Sequence, residues 1–94
     1  MTYNLEFKES ALKEWRKLDN SIREQFKKKL AERVENPRLD SAKLSGMLDC
    51  YKIKLKSLGY RLVYQVDDAR LVVIVIAVGK REGSVVYRSA AERL

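Results

Sequence analysis

Residues 51–65 set polar and apolar side chains in near alternation: Tyr-Lys-Ile-Lys-Leu-Lys, then, past Ser57-Leu58-Gly59, Tyr-Arg-Leu-Val-Tyr-Gln. A period of two makes two chemically distinct faces only when the chain is extended, because successive strand side chains point to opposite sides. Tyr51, Ile53 and Leu55 therefore share one side, and Lys52, Lys54 and Lys56 the other. Read as a two-residue turn, Leu58-Gly59 pairs Lys56 with Arg61, Lys54 with Val63 and Lys52 with Gln65. Tyr60, Leu62, Tyr64 and Val66 then join the apolar face, while the opposite face gathers three lysines and an arginine. Like charges repel, so a sheet face that concentrates them is expected to meet an anionic partner.

The remaining patterns supply the partners of that hairpin. Tyr3, Leu5 and Phe7 alternate with Thr2, Asn4 and Glu6 and predict a half-buried strand. From Lys8 the period becomes helical, with Ala11 or Leu12, Trp15 and Leu18 recurring on one side. Asp19-Asn20 breaks this helix, and Ser21-Ile-Arg-Glu24 reads as a capping box opening a second one. Its stripe is Ile22, Phe26, Leu30 and Val34, and Asn36-Pro37 ends it. Arg38 to Asp49 reads as an irregular connector anchored by Leu39, Leu44 and Met47. After the hairpin, Asp67-Asp68 turns the chain into the β-branched run Arg70–Val78, the pattern of a central strand covered on both faces. A loop at 79–83 follows, and Ser84 is placed to cap a last helix in which Tyr87, Ala90 or Ala91, and Leu94 share a side.

The order β-α-α-β-β-β-α predicts an α+β fold in one domain, residues 1–94. A helical hairpin is expected to cover the apolar face of a mostly antiparallel four-stranded sheet, beside a short C-terminal helix. The lysine face would then lie in a shallow cleft near the Lys80–Tyr87 segment.

Composition narrows the chemistry. Net charge is +7 over 94 residues, and the halves differ: 11 basic and 9 acidic side chains before residue 51, 9 and 4 after it. A basic second half points to nucleic acid, a membrane surface or an acidic protein. The chain has no histidine and one cysteine, Cys50. Histidine-dependent nucleophilic catalysis, histidine zinc sites and an internal disulfide are therefore excluded. None of the four glycines forms a Walker or Rossmann phosphate loop. No metal or cofactor is expected, and any catalysis must come from Lys, Arg, Tyr or carboxylates. The N-terminus lacks the basic start and apolar run of a signal peptide, and the Leu71–Val78 run is too short to span a bilayer. The expected setting is the reducing cytoplasm, without membrane association.

Alternating lysines also serve to solubilise an open face or protect a strand edge. Here Arg61 joins the same face and Lys80-Arg81 follow the central strand, which favours a functional reading. Tyr87 has the spacing of a core aromatic, yet lies next to Arg88 and six residues past Arg81, where a phenol can stack on a base. Trp15, Phe26, Phe7, Tyr3, Tyr60 and Tyr64 fall on core faces. Lys27-Lys28-Lys29 reads as a solvated helix face.

Taken together, these residues resemble the RelE toxins of toxin–antitoxin pairs. The likeness runs through Ala-Leu-Lys-Glu-Trp-Arg-Lys-Leu (11–18), Lys-Lys-Lys-Leu (27–30), Asp-Cys-Tyr-Lys-Ile-Lys-Leu (49–55), Gly-Tyr-Arg-Leu-Val-Tyr-Gln-Val (59–66) and Val-Gly-Lys-Arg-Glu (78–82). The resemblance implies the RelE-like microbial ribonuclease fold and a ribosome-dependent messenger-RNA endonuclease. Its active residues would be Lys52, Lys54, Arg61, Arg81 and Tyr87, with Lys56 and Lys80 holding RNA. It also implies three kinds of partner: a RelB-like antitoxin, the 70S ribosome with its 16S rRNA and messenger, and operator DNA reached only through the antitoxin complex. Close relatives read Leu-Arg-Gly-Met where this chain has Leu44-Ser45-Gly46-Met47, so one phosphate contact is missing or is supplied elsewhere.

RNA carries its own nucleophile, the 2′-hydroxyl beside the scissile phosphate. Lysine is a poor base at its reference pKa of about 10.4, but neighbouring cations disfavour its charged form. Lys54 is the best-placed base, Arg61 and Arg81 suit the phosphorane, Lys52 binds phosphate and Tyr87 stacks or assists proton movement. Two rival readings remain: a ParE-like gyrase poison on the same fold, and a non-catalytic RNA- or ribosome-binding module.

Overall fold

A computed structural model describes residues 2–80 and 85–94. Its elements are β1 (Asn4–Phe7), α1 (Glu9–Arg16), α2 (Asn20–Glu35), β2 (Cys50–Leu55), β3 (Tyr60–Asp67), β4 (Val72–Lys80) and α3 (Val85–Arg93), in the predicted order. The four strands form one mixed sheet, β1-β4-β3-β2, antiparallel except for the parallel β1–β4 pair.

The alternation of β2 and β3 works as expected. Tyr51, Ile53, Leu55, Leu62, Tyr64 and Val66 enter one core with Ala11, Trp15, Ile22, Phe26 and Leu30 of the two N-terminal helices. Tilted contacts run from Phe7 to Trp15, ring centroids 5.2 Å apart, and on to Phe26 at 6.2 Å. The other face carries a smaller core in which Val86 and Ala90 of α3 cover Cys50, Val63, Ile76 and Ala77. β4 lies between these layers, which is why its sequence is almost uniformly apolar.

Several local expectations change. The hairpin register is two residues off the predicted one: Lys54 pairs with Arg61, Lys52 with Val63 and Cys50 with Gln65. The connection is not a two-residue turn but a 3₁₀ turn, Lys56–Leu58, closed by Gly59 at φ 71°, where an L side chain would be strained. A slip of two preserves every face, so the core assignment survives the error. Asp19, not Ser21, stands at the N-cap of α2 and makes no side-chain cap bond, so the capping box does not form. In the connector Leu39 is exposed and Ala42 is the buried anchor, while Leu44 and Met47 pack on the α3-side core. β4 starts at Val72 and runs through Gly79 and Lys80, where the sequence predicts a loop. On α3 the buried residues are Val86 and Ala90, Tyr87 is half-buried and Leu94 is exposed. The expected cap Ser84 lies outside the described residues.

One irregularity in β4 aims the site. Tyr64 pairs with Val75 and Val63 with Ala77, leaving Ile76 as the extra residue of a bulge. Ile76 and Ala77 therefore both serve the α3-side core, and the parity of the strand end is reversed. Val78 returns to the helical-pair core, and Gly79 comes into register with Arg61.

Candidate nucleic-acid site

The register builds a row across the lysine side of the sheet. Lys54, Arg61 and Gly79 are successive cross-strand neighbours, and Lys52, Val63 and Ala77 form the next row. Directly opposed residues share a face. A methyl group built on Gly79 would stand 3.5 Å from Cγ2 of Val86, so the first turn of α3 closes over this row. Tyr87, the next residue, packs half-buried against the core that contains Val63 and Ala77. Lys52, Lys54, Arg61 and Tyr87 thus share one side of the sheet.

Their environments differ. Arg61 is only 6% exposed, an unusual burial for a guanidinium, and Nη1 donates to the carbonyl of Tyr60 at 3.1 Å. Lys54 is exposed, yet its ammonium is held below the ordinary lysine value. The charge of Lys52 is the largest cause, followed by lost solvation, Arg61 and Lys56. Burial pushes the Cys50 thiol up to about 11, the opposite of what a nucleophilic thiol needs.

Lys52, Lys54 and Lys56 line a cleft of about 280 Å³ with Arg33, Leu39, Ser41 and Ala42. It opens at the free edge of β2, beside the end of α2. Among the described residues its lining includes neither Lys80 nor Tyr87, so the cleft does not lie where the sequence placed it. Lys80 is exposed and in register with Tyr60, whose side chain packs on the helical-pair core. That puts Lys80 one strand position off the Lys54–Arg61–Gly79 row. Arg81 lies outside the described residues. Arg33 is the residue the sequence reading missed: on α2 it looks like one more solvated cation, and only the fold brings it to the lysines. No group of three or more His, Cys, Asp or Glu side chains among the described residues is placed to hold a metal ion.

The structure is thus a small α+β domain with a histidine-free basic cleft at the open edge of its sheet. The family described as the ParE toxin of type II toxin–antitoxin systems, parDE, matches residues 5–84. The mRNA interferase toxin RelE of Escherichia coli K12 is 63% identical over 94 residues, covering 100% of this chain and 99% of that protein. An arginine-to-alanine double mutant of E. coli RelE in the free state superposes with a TM-score of 0.93 at 62% identity, covering 100% of this chain and 99% of that one. The toxin chain of the intact E. coli RelBE toxin–antitoxin complex gives 0.83 at 65% identity, over 85% of this chain and 98% of that one. This chain belongs to the RelE toxins of the RelE/ParE superfamily.

Proposed function

We propose that this chain is a single-domain cytoplasmic toxin that cuts messenger RNA in the ribosomal A site, and that Lys52, Lys54, Arg61, Arg81 and Tyr87 carry the chemistry. Its full-length relative is named an mRNA interferase, and a related toxin forms a complex with the antitoxin RelB. The gyrase-poison alternative finds no support in these relatives. A RelB-like antitoxin is the partner that restrains the toxin and, with it, represses their operon.

The observation that carries the site is the placement of Lys54 beside Arg61 in the sheet and beside Lys52 and Lys56 in the cleft, charges that hold its ammonium below the ordinary lysine value. A lysine so placed loses its proton at lower pH than a free lysine, and its amine can take the proton of the 2′-hydroxyl. The 2′-oxygen attacks the adjacent phosphorus, the P–O5′ bond breaks, the leaving O5′ takes up a proton from water, and a 2′,3′-cyclic phosphate and a 5′-hydroxyl result. Arg61, held by burial and by the Tyr60 carbonyl, offers fixed donors to the added negative charge. Lys52 serves twice, as a phosphate-binding cation and as the main depressor of Lys54. Tyr87 stands on the same side to stack on a base. Lys56 lines the cleft and holds the RNA backbone. Lys80, off the row, is assigned to more distant backbone contacts.

Primer extension on a translated message tests this reading. Cuts within codons on ribosomes, products with cyclic phosphate ends and resistance of a 2′-methoxy message are expected. Cleavage of the 2′-methoxy message would refute the mechanism, and binding without turnover would favour the non-catalytic module.

A further inference from the structure

Arg33 has no part in the mechanism above, yet it lines the cleft with Lys52, Lys54 and Lys56. It sits half-buried in the last turn of α2, and its guanidinium is fixed at one end. Nη1 donates to the Lys52 carbonyl at 3.0 Å and to the Tyr64 hydroxyl at 3.0 Å, and Cζ stands 5.7 Å from the Tyr64 ring centroid. Tyr64 is locked in turn, its hydroxyl donating to the Pro37 carbonyl at 2.7 Å. Guanidinium has five N–H donors, and Nε and Nη2 of Arg33 bond no acceptor among the described residues. A side chain already immobilised presents its remaining donors with little further loss of entropy.

Arg38, a short distance along the chain, makes the contrast. Its guanidinium is taken up by Asp68, Asp49 and the Tyr51 hydroxyl. Around Arg33, four cations line about 280 Å³ with no carboxylate among the lining residues. An anion entering there relieves their repulsion, and a phosphate matches the planar fork.

We propose that Arg33 binds a backbone phosphate of RNA in this cleft, next to the phosphate on which Lys54 and Arg61 act. The proposal rests on the site assigned above and adds to it a contact from α2.

Message cleavage on programmed ribosomes, followed at several monovalent salt concentrations and fixed magnesium, tests it. Arg33→Gln keeps a neutral N–H donor on a shorter side chain and removes the charge. It should raise KM about tenfold, change kcat less than about twofold, and flatten the salt slope of kcat/KM by about 0.7, the value for one phosphate on a single strand. Arg33→Lys keeps the charge and should keep the slope, with KM up about threefold. A glutamine variant with unchanged KM and slope, or with only a lower melting temperature, overturns the proposal. So does a flattened slope in the lysine variant, a readout that does not depend on the glutamine variant folding. A message with a neutral methylphosphonate beside the cut tells which RNA is held. If the variants then behave alike, the phosphate is the messenger's, as proposed; if they still differ, it is ribosomal, and the contact beside the scissile phosphate is overturned. Lys54→Ala, run in parallel, separates the two readings: its full activity would refute the site itself, whereas its inactivity beside a silent Arg33→Gln refutes only the contact from α2.

Discussion

The two faces of the sheet are made by the same strands and do opposite things. The face under α1 and α2 carries the larger core, from Ala11 through Phe26 to Tyr64 and Val78, with an open apolar cavity of about 420 Å³ at its β1 side. Among the described residues, the face under α3 carries a smaller core around Cys50, Val63, Ile76 and Ala77, and beside it stand the cations Lys52, Lys54 and Arg61. Stability is concentrated on one side, which leaves the other able to hold charges that disfavour one another. The difference teaches that a strand can carry a costly site when its alternate residues are anchored elsewhere.

Breaking the larger core should have the greatest effect. Phe26 is fully buried against Trp15, and Phe26→Ala should cost about 3–5 kcal/mol in urea unfolding. Loss of less than about 1 kcal/mol would mean that the helical pair is not the main support. On the open face the sign should reverse. Lys54→Ala should lower cleavage about a hundredfold or more while the melting temperature holds or rises, most visibly at low salt. The depressed pKa of Lys54 gives the sign. Protonation of that amine opposes folding below its folded-state pKa, and the penalty fades as pH rises through it. A melting temperature that falls at pH 7 would show Lys54 to be structural.

Smaller effects sharpen the contrast at its boundary. Glu14 on α1 accepts from Nη1 and Nη2 of Arg93 at 2.8 and 3.1 Å and from the Val78 amide at 3.2 Å, tying the end of α3 to β4. Glu14→Gln should destabilise by about 1 kcal/mol, with amide exchange in α3 rising more than in the helical-pair core. Uniform exchange across both would deny α3 its separate tether. The mildest test is a pH profile. Lys52 is the first cause of the lowered Lys54 pKa, so Lys52→Ala should move the alkaline rise of kcat to higher pH. A rise that stays in place would remove Lys54 as the base.

Much of this was legible because faces depend only on periodicity. Alternation placed Ile53, Leu62 and Tyr64 in one core and Lys52, Lys54 and Arg61 opposite, whatever the register. The register was lost because a pattern of period two is unchanged by a slip of two, and Lys56-Ser57-Leu58-Gly59 gives no strong signal against a tighter turn. Burial of Arg61 and the bulge at Ile76 depend on α3 and on β4 twisting past β3, which no local pattern encodes. Arg33 was invisible for a related reason: the 3.6-residue period fixes which side of α2 it occupies, but not what comes to lie beside that side. Lys80 is a different case: it follows the central strand directly, and strand parity sets it in register with Tyr60, off the Lys54–Arg61–Gly79 row.

The parallel pair at the far edge of the sheet has a kinetic consequence. Asn4 aligns with Val72, so β1 has no strand to join until the last strand of the sheet exists. The β2–β3 hairpin is local and can form early, whereas closing a loop that long carries a large entropic penalty and comes late. Leu5 should therefore give a φ-value near zero and Ile53 a higher one. The strand that comes first in this order would be the last to find its place.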